Sequence, residues 1–226
     1  MAYSGEDLFR NYRKTYVISP FQASQVSPLG YDLRVGYAVA IRYSDRISKG
    51  KLRADMLLPE TETRPSPLSR PLKELIVAPG ESILVVTVEQ VYLSSKVLAT
   101  VQAKASISVQ GLFLNPVTVD PNFASQDDAS GRIILYMHNV SGRNVTLREK
   151  QGIATLIMHE VTTETSHLPE KSGFEDILKA LASTYDQDLI NRISAYTAEL
   201  TGSRGLTEFA RDRKAVRTLR QNHQLP

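Results

Sequence analysis

The chain has 226 residues, of which 42% are hydrophobic and 23% charged, enough for a packed core in one domain plus an appendage or in two small domains. It has no cysteine, which excludes disulfide scaffolds, thiol nucleophiles, iron–sulfur clusters and cysteine-ligated zinc. The absence of tryptophan removes one base-stacking surface, and a formal net charge of +3 does not by itself indicate a nucleic-acid binder.

Ser4 followed by Glu6, Asp7, Leu8 and Phe9 predicts an early helix over 4–12. Met1 to Arg10 carries two acids and no apolar h-region, so no secretory signal is expected there. From Tyr16 to Val161 short runs rich in Val, Ile, Leu and Tyr alternate with Pro and Gly, which predicts strands and turns. Three runs are the clearest strands: Ser82–Gln90, Gly131–His138 and Gly152–Glu160. Several of their positions are apolar on both faces, as in strands buried between two layers or against a partner subunit. Between Ser44 and Arg70 the chain is polar and proline-rich, and an irregular surface loop is expected.

After Thr162 the pattern becomes helical. Phe174, Ile177, Leu178 and Leu181 share one face, and Ser172 with Glu175 resembles a capping box. A second run places Leu189, Ile190, Ile193, Tyr196 and Leu200 at helical spacing, stopped by Gly202. A third places Phe209, Val216 and Leu219 among basic residues. The division expected is a β domain over 1–165 and a helical C-terminal extension over 166–226. Residues 203–226 hold six Lys/Arg against two acids, more than the whole chain's surplus. The basicity therefore belongs to the tail, and a protein or nucleic-acid partner is to be sought there. No apolar run approaches the ~20 residues of a membrane span, so no membrane partner is expected. A cytoplasmic location fits the missing cysteines.

The chemistry is constrained by what can converge. His138, His159, His167 and His223 stand at no metal-ligand spacing, and a structural or surface role is expected. A zinc deaminase of the H-x-E, P-C-x-x-C kind is excluded. No glycine-rich phosphate loop follows a predicted strand. Gly202–Gly205 is either a small anion-binding turn or only a joint between helices. Asp32 and Arg34 project to one side of a strand, where they can pair or bind a polar group. Lys104 and Ser106 likewise share a face, a cation and a hydroxyl suited to a phosphate. Asp120 before Pro121 is a candidate base or a turn former.

These segments, in this order, resemble the dCTP deaminase/dUTPase superfamily from about Glu6 to Glu160. P-L-G-Y-D-L-R-V-G (28–36) is the strongest local match. A-P-G-E-S-I-L-V-V-T-V (78–88) and N-V-T-L-R-E-K-Q-G-I-A-T-L-I (144–157) resemble the run into the nucleotide site and the closing strands. The resemblance implies a mainly β fold, a distorted jelly-roll or β-barrel of dUTPase type, assembled as a homotrimer with sites between subunits. It implies deamination without zinc, and magnesium bound largely through the nucleotide triphosphate. The nucleotide-binding positions it implies are Asp32, Lys104, Ala105, Ser106, Val109, Gly111, Leu135 and Tyr136, with Asp120 as the surviving catalytic candidate.

The departures bear on activity. Where the family has G-R-S-S-L-A-R-L-G-L, this chain has A-K-A-S-I-S-V-Q-G-L. Lys104 replaces an arginine and loses its bidentate fork. Ala105 replaces the serine that positions the attacking water, and Val109 replaces a second arginine. Ser106, Gly111, Asp120-Pro121 and Phe123 keep the family type. Tyr136 stands where the deaminases have their proton-carrying glutamate, and a phenol of reference pKa about 10 does not shuttle protons as a carboxylate does. An insertion over Ala124–Ser130 brings Asp127 and Asp128 near a phosphate region. Against the dUTPase pattern Asp32 and Asp120 match, the glycine-rich arm does not, and Thr155 replaces the strand glutamine. The expected function is a catalytically degenerate, nucleotide-binding or structural protein. The alternative is a divergent enzyme that deaminates or hydrolyses dCTP or dUTP.

Overall fold

The computed structural model describes residues 1–48, 51–56, 74–124, 131–148 and 150–163, together with scattered positions between 179 and 194, Asp212 and 214–219; side chains are described outside 37–56. The chain opens with α1 (Gly5–Asn11) and β1 (Tyr16–Ser19), followed by a single 3-10 turn (Ala23–Gln25) and β2 (Val26–Ser27). The long β3 (Gly30–Ser48) and the shorter β4 (Lys51–Met56) follow in succession. Next come β5 (Glu74–Val77), β6 (Ser82–Leu93), β7 (Val97–Ala103) and the one-turn α2 (Ala105–Ser108). The series closes with β8 (Leu112–Leu114), β9 (Val117–Val119), β10 (Arg132–Asn139), β11 (Val145–Arg148) and β12 (Gly152–Glu160).

The mainly β expectation holds. Among the described residues one antiparallel sheet runs in the order β8-β10-β6-β3-β12-β7-β9, with β1 added on β6 and β2 and β4 on β3. It curls into a half-barrel. β11 and β5 form a separate two-stranded ribbon. The predicted strands at 82–90, 131–138 and 152–160 are β6, β10 and β12. β6 is the clearest case of burial on both faces: Ile83 through Val91 are buried without a break. It is a central strand, with β10 and β3 as its neighbours and β1 also paired to it. Glycine at 131 is forced, because a Cβ there would lie 2.2 Å from Val91 O.

The predicted helix at 4–12 forms over Gly5–Asn11, and its cap is reciprocal. Asp7 N donates to Ser4 Oγ at 3.2 Å and Ser4 N to Asp7 Oδ2 at 3.0 Å. The loop expected from Ser44 is corrected in part: β3 continues to Ser48 and returns as β4. The polar residues that suggested a loop are tolerated because, among the described residues, β4 pairs with β3 alone, and an edge strand carries charge well. The rest of that stretch, 57–70, lies outside the described residues.

In the tail, 212 and 214–219 are helical and belong to the body's surface layer. Val216 and Leu219 are buried with Val17 of β1, flanked by Tyr12 and Tyr92. Ile190 joins the main core, and Ala182 packs against that core. The helix face at Phe174–Leu181, the Ser172/Glu175 cap, the Gly202–Gly205 turn and the Asp127/Asp128 insertion lie outside the described residues. No helix among the described residues is long and apolar enough to cross a membrane.

Candidate functional site

Asp32 lies in β3 opposite Thr155 of β12. Thr155 Oγ1 donates to Asp32 Oδ1 at 3.0 Å, and Lys104 Nζ donates to Asp32 Oδ2. Lys104 reaches this point because β7 ends at Ala103, opposite Ala154 of the same β12. Its backbone N–H donates to Ile153 O at 3.1 Å, which pins the residue at the start of α2. Gly152 leaves room beside it, since a Cβ there would meet Lys104 Cδ at 3.4 Å. The two charges are both partly buried and satisfy each other.

Two sequence expectations change here. Lys104 and Ser106 do not share a strand face, because the strand stops at Ala103 and 105–108 is a helical turn. Asp32 and Arg34 do not pair. Arg34 Nε donates to Glu89 Oε1 at 2.6 Å, its backbone N–H to Glu89 Oε2 at 2.9 Å, and its Nη1 to Gln22 Oε1 at 2.7 Å. Burial pushes the Glu89 carboxyl above the ordinary carboxylate range, opposed by the adjacent Arg34 guanidinium. Nothing in the local sequence marks Glu89 as the partner, since it is 55 residues away.

Ala105, Ser106 and Val109 all lie on the exposed side of α2, and Val109 is 79% exposed. Gly111 ends this turn with φ +85°, and a Cβ on it would lie 2.5 Å from Ser141 Cβ. Glycine there lets α2 close against the turn after β10. Asp120 forms a turn whose Phe123 N–H donates to Asp120 O at 3.2 Å, and its side chain is exposed. The turn-former reading is met, while Asn122 adopts φ 65° with its side chain buried.

Leu135 points into the core with no exposed surface, so its side chain is not available to a ligand. Tyr136, next along β10, is half-buried, and its hydroxyl donates to Ser82 Oγ at 2.8 Å. Ser82 Oγ lies 2.8 Å from His138 Nδ1. The register places His138 opposite both Ser82 of β6 and Phe113 of β8, so these side chains lie on one sheet face. Ser82 and His138 were invisible as site residues in the sequence, since only the strand register brings them to Tyr136. The structure thus gathers Asp32, Lys104 and Thr155 into one cluster and Tyr136, Ser82 and His138 into another. Among the described residues no three His, Asp or Glu side chains converge as a metal centre.

Comparison with known proteins follows the same outline. The chain is 26% identical over 141 residues to a dCTP deaminase of Pyrococcus abyssi, covering 62% of this chain and 73% of that protein. It is 29% identical over 136 residues to a dCTP deaminase of Pyrococcus furiosus, covering 60% and 70%. Among solved structures, the 2'-deoxycytidine 5'-triphosphate deaminase of Agrobacterium tumefaciens superposes with a TM-score of 0.49 at 11% identity, over 70% of this chain and 46% of that one. A family model described as dCTP deaminase-like matches residues 3–161, from just before α1 to just past the end of β12. The chain belongs to the dCTP deaminase-like family.

Proposed function

We propose that this chain is a catalytically degenerate, homotrimeric member of its family, a pseudoenzyme that binds a deoxynucleotide or serves a structural, assembly role instead of deaminating. The observation that carries this reading is Tyr136. Where the family resemblance calls for a carboxylate, a phenol donates a hydrogen bond to Ser82 Oγ. Ala105 supplies no hydroxyl, Val109 no charge, and Lys104 is engaged by Asp32. Loss of a single acid–base group commonly costs ~10²–10⁴ in rate, and here three positions differ together. Magnesium, in this reading, arrives with the triphosphate. The division at 1–165 and 166–226 and a cytoplasmic location are parts of the same proposal.

The test is to incubate the purified protein with dCTP and with dUTP plus magnesium, following deaminated base and pyrophosphate. Binding of nucleotide without product is the expected result, and turnover overturns the reading. The second reading, a divergent dCTP deaminase or dUTP diphosphatase, has specific support. Relatives are named dCTP deaminases, and Asp120 stays exposed as a candidate base. The basic tail is the proposed surface for an acidic protein or nucleic-acid partner. Lys214 and Arg217 face outward while Val216 and Leu219 face the body. Binding of nucleic acid through this face should weaken steeply with added salt, and salt-indifferent binding excludes phosphate contacts there.

A further inference from the structure

A cleft of about 330 Å³ lies between the end of α2 and the two turns that flank β11. Its walls carry Arg143, Asn144, Thr146, Arg148, Gln110 and Gln151, and no carboxylate stands among the described residues that line it. Each wall is held in place by hydrogen bonds or close packing. Asn139, fully buried, donates from Nδ2 to Arg143 O at 2.9 Å and to Val77 O at 2.8 Å, and accepts from Ser141 N at 2.9 Å. That fixes the turn carrying Arg143 and Asn144. Gln151 Oε1 accepts from Arg148 N at 2.8 Å, and Gln151 N donates to Arg148 O at 3.0 Å, so the turn after β11 is closed by its own lining residue. Gly111 seats α2 against Ser141 and so brings Gln110 to the third side.

The donor inventory is one-sided. Arg148 gives Nε to Glu74 Oε1 at 3.3 Å, which leaves both terminal nitrogens of its guanidinium. The Gln151 amide nitrogen remains a donor once its oxygen is taken. Arg143 brings a second guanidinium to the same cleft. Planar guanidiniums match phosphate oxygens two at a time. The cleft also adjoins the Asp32–Lys104–Thr155 cluster through one residue. Gly152 follows Gln151, and a Cβ on it would lie 3.6 Å from Lys104 Nζ.

The geometry points to this cleft as a binding site for a polyphosphate group, held by the guanidiniums of Arg143 and Arg148 and by the amides beside them. The choice of polyphosphate over other anions rests on the nucleotide-binding reading. The site replaces positive charge that the chain lacks on α2, where Val109 is apolar and Lys104 is engaged elsewhere.

The probe is inorganic tripolyphosphate, titrated calorimetrically at low salt into the full chain and into Arg143→Gln, Arg148→Gln and, as a control outside the cleft, Lys14→Gln. Melting curves establish that each variant is folded. Each arginine variant should bind about tenfold more weakly, the loss of one charge-assisted contact, with the control unchanged. Absence of tripolyphosphate binding, or binding indifferent to both arginines, overturns the proposal. Titration of dCTP and dUTP separates it from the reading it rests on. Nucleotide binding that ignores both arginines removes the cleft and keeps that reading. Arginine-sensitive tripolyphosphate binding with no nucleotide binding keeps the cleft and removes the reading.

Discussion

Glu89 has no exposed surface, and β6 tolerates it because Arg34 meets both of its carboxylate oxygens. Removing one partner of a buried pair leaves a charge without compensation, so Arg34→Ala should cost about 3–5 kcal/mol in urea unfolding. The pair also sets a pH dependence. Burial holds the folded-state pKa of Glu89 above its unfolded value. A carboxyl shifted in that direction favours the fold below the unfolded pKa, near 4.3 for glutamate, and its contribution is lost as pH rises through the folded value. The urea midpoint of the wild type should therefore fall relative to that of Glu89→Gln as pH is raised from about 4 to about 7. A parallel course for the two proteins refutes the shift. The residues of this pair show where sequence reading stops. Asp32, Arg34 and Lys104 are conspicuous in the chain, but their partners are chosen by strand register across 55 and 72 residues.

At the scale of elements the sequence was most legible where local chemistry decides. The capped α1 follows from Ser4 and Asp7, and β6, β10 and β12 follow from runs of branched apolar residues. It was least legible where an element's neighbours decide. The polar end of β3 forms a strand because β4 supplies its hydrogen bonds, and Lys104 leaves the strand because α2 begins there. The helical segment at 212–219 depends equally on its neighbours. Asp212, only 3% exposed, accepts from Tyr12 Oη at 3.1 Å and from Arg13 Nε and Nη2 at 3.0 and 2.6 Å. Arg13 in turn lies over the Tyr12 ring, 4.8 Å from its centre. Hydrogen bonds to a charged group contribute about 1.5–3 kcal/mol each. Asp212→Ala should thus raise the opening of this segment at least tenfold, read as faster amide exchange over 214–219 and faster tryptic cleavage at Lys214 and Arg217. Exchange over 83–88 of β6 should not change, because the β6 residue that flanks Val216 and Leu219 is Tyr92, near the other end of the strand. Unaltered protection at 214–219 would mean that Val216 and Leu219 hold the helix without the carboxylate.

For the whole molecule, the β fold was legible because runs of Val, Ile, Leu and Tyr between Tyr16 and Val161, broken by turn residues, leave few alternatives to a sheet. The assembly is harder to read, since one chain's sequence does not distinguish apolar residues that meet its own core from those that meet a partner. Phe113, Val140 and Val109 remain 56%, 65% and 79% exposed, although their neighbours Leu112, Leu114 and Met137 are buried. Phe113 stands opposite His138, on the face that also carries Ser82 and Tyr136, and Val140 N donates to Gly111 O at 2.9 Å beside it. A second copy of the chain is the proposed occupant, because the family resemblance implies a trimer with its sites between subunits. Burying such side chains contributes roughly 1.5–3 kcal/mol each, whereas a carboxylate placed there must be desolvated on association. Light scattering of the wild type should give about three times 25.1 kDa. The double variant Phe113→Glu, Val140→Glu should give a single chain with the β signal of its circular dichroism retained, since neither side chain belongs to the core. A variant that stays trimeric places the subunit contact on another face, and a monomeric wild type removes the trimer itself.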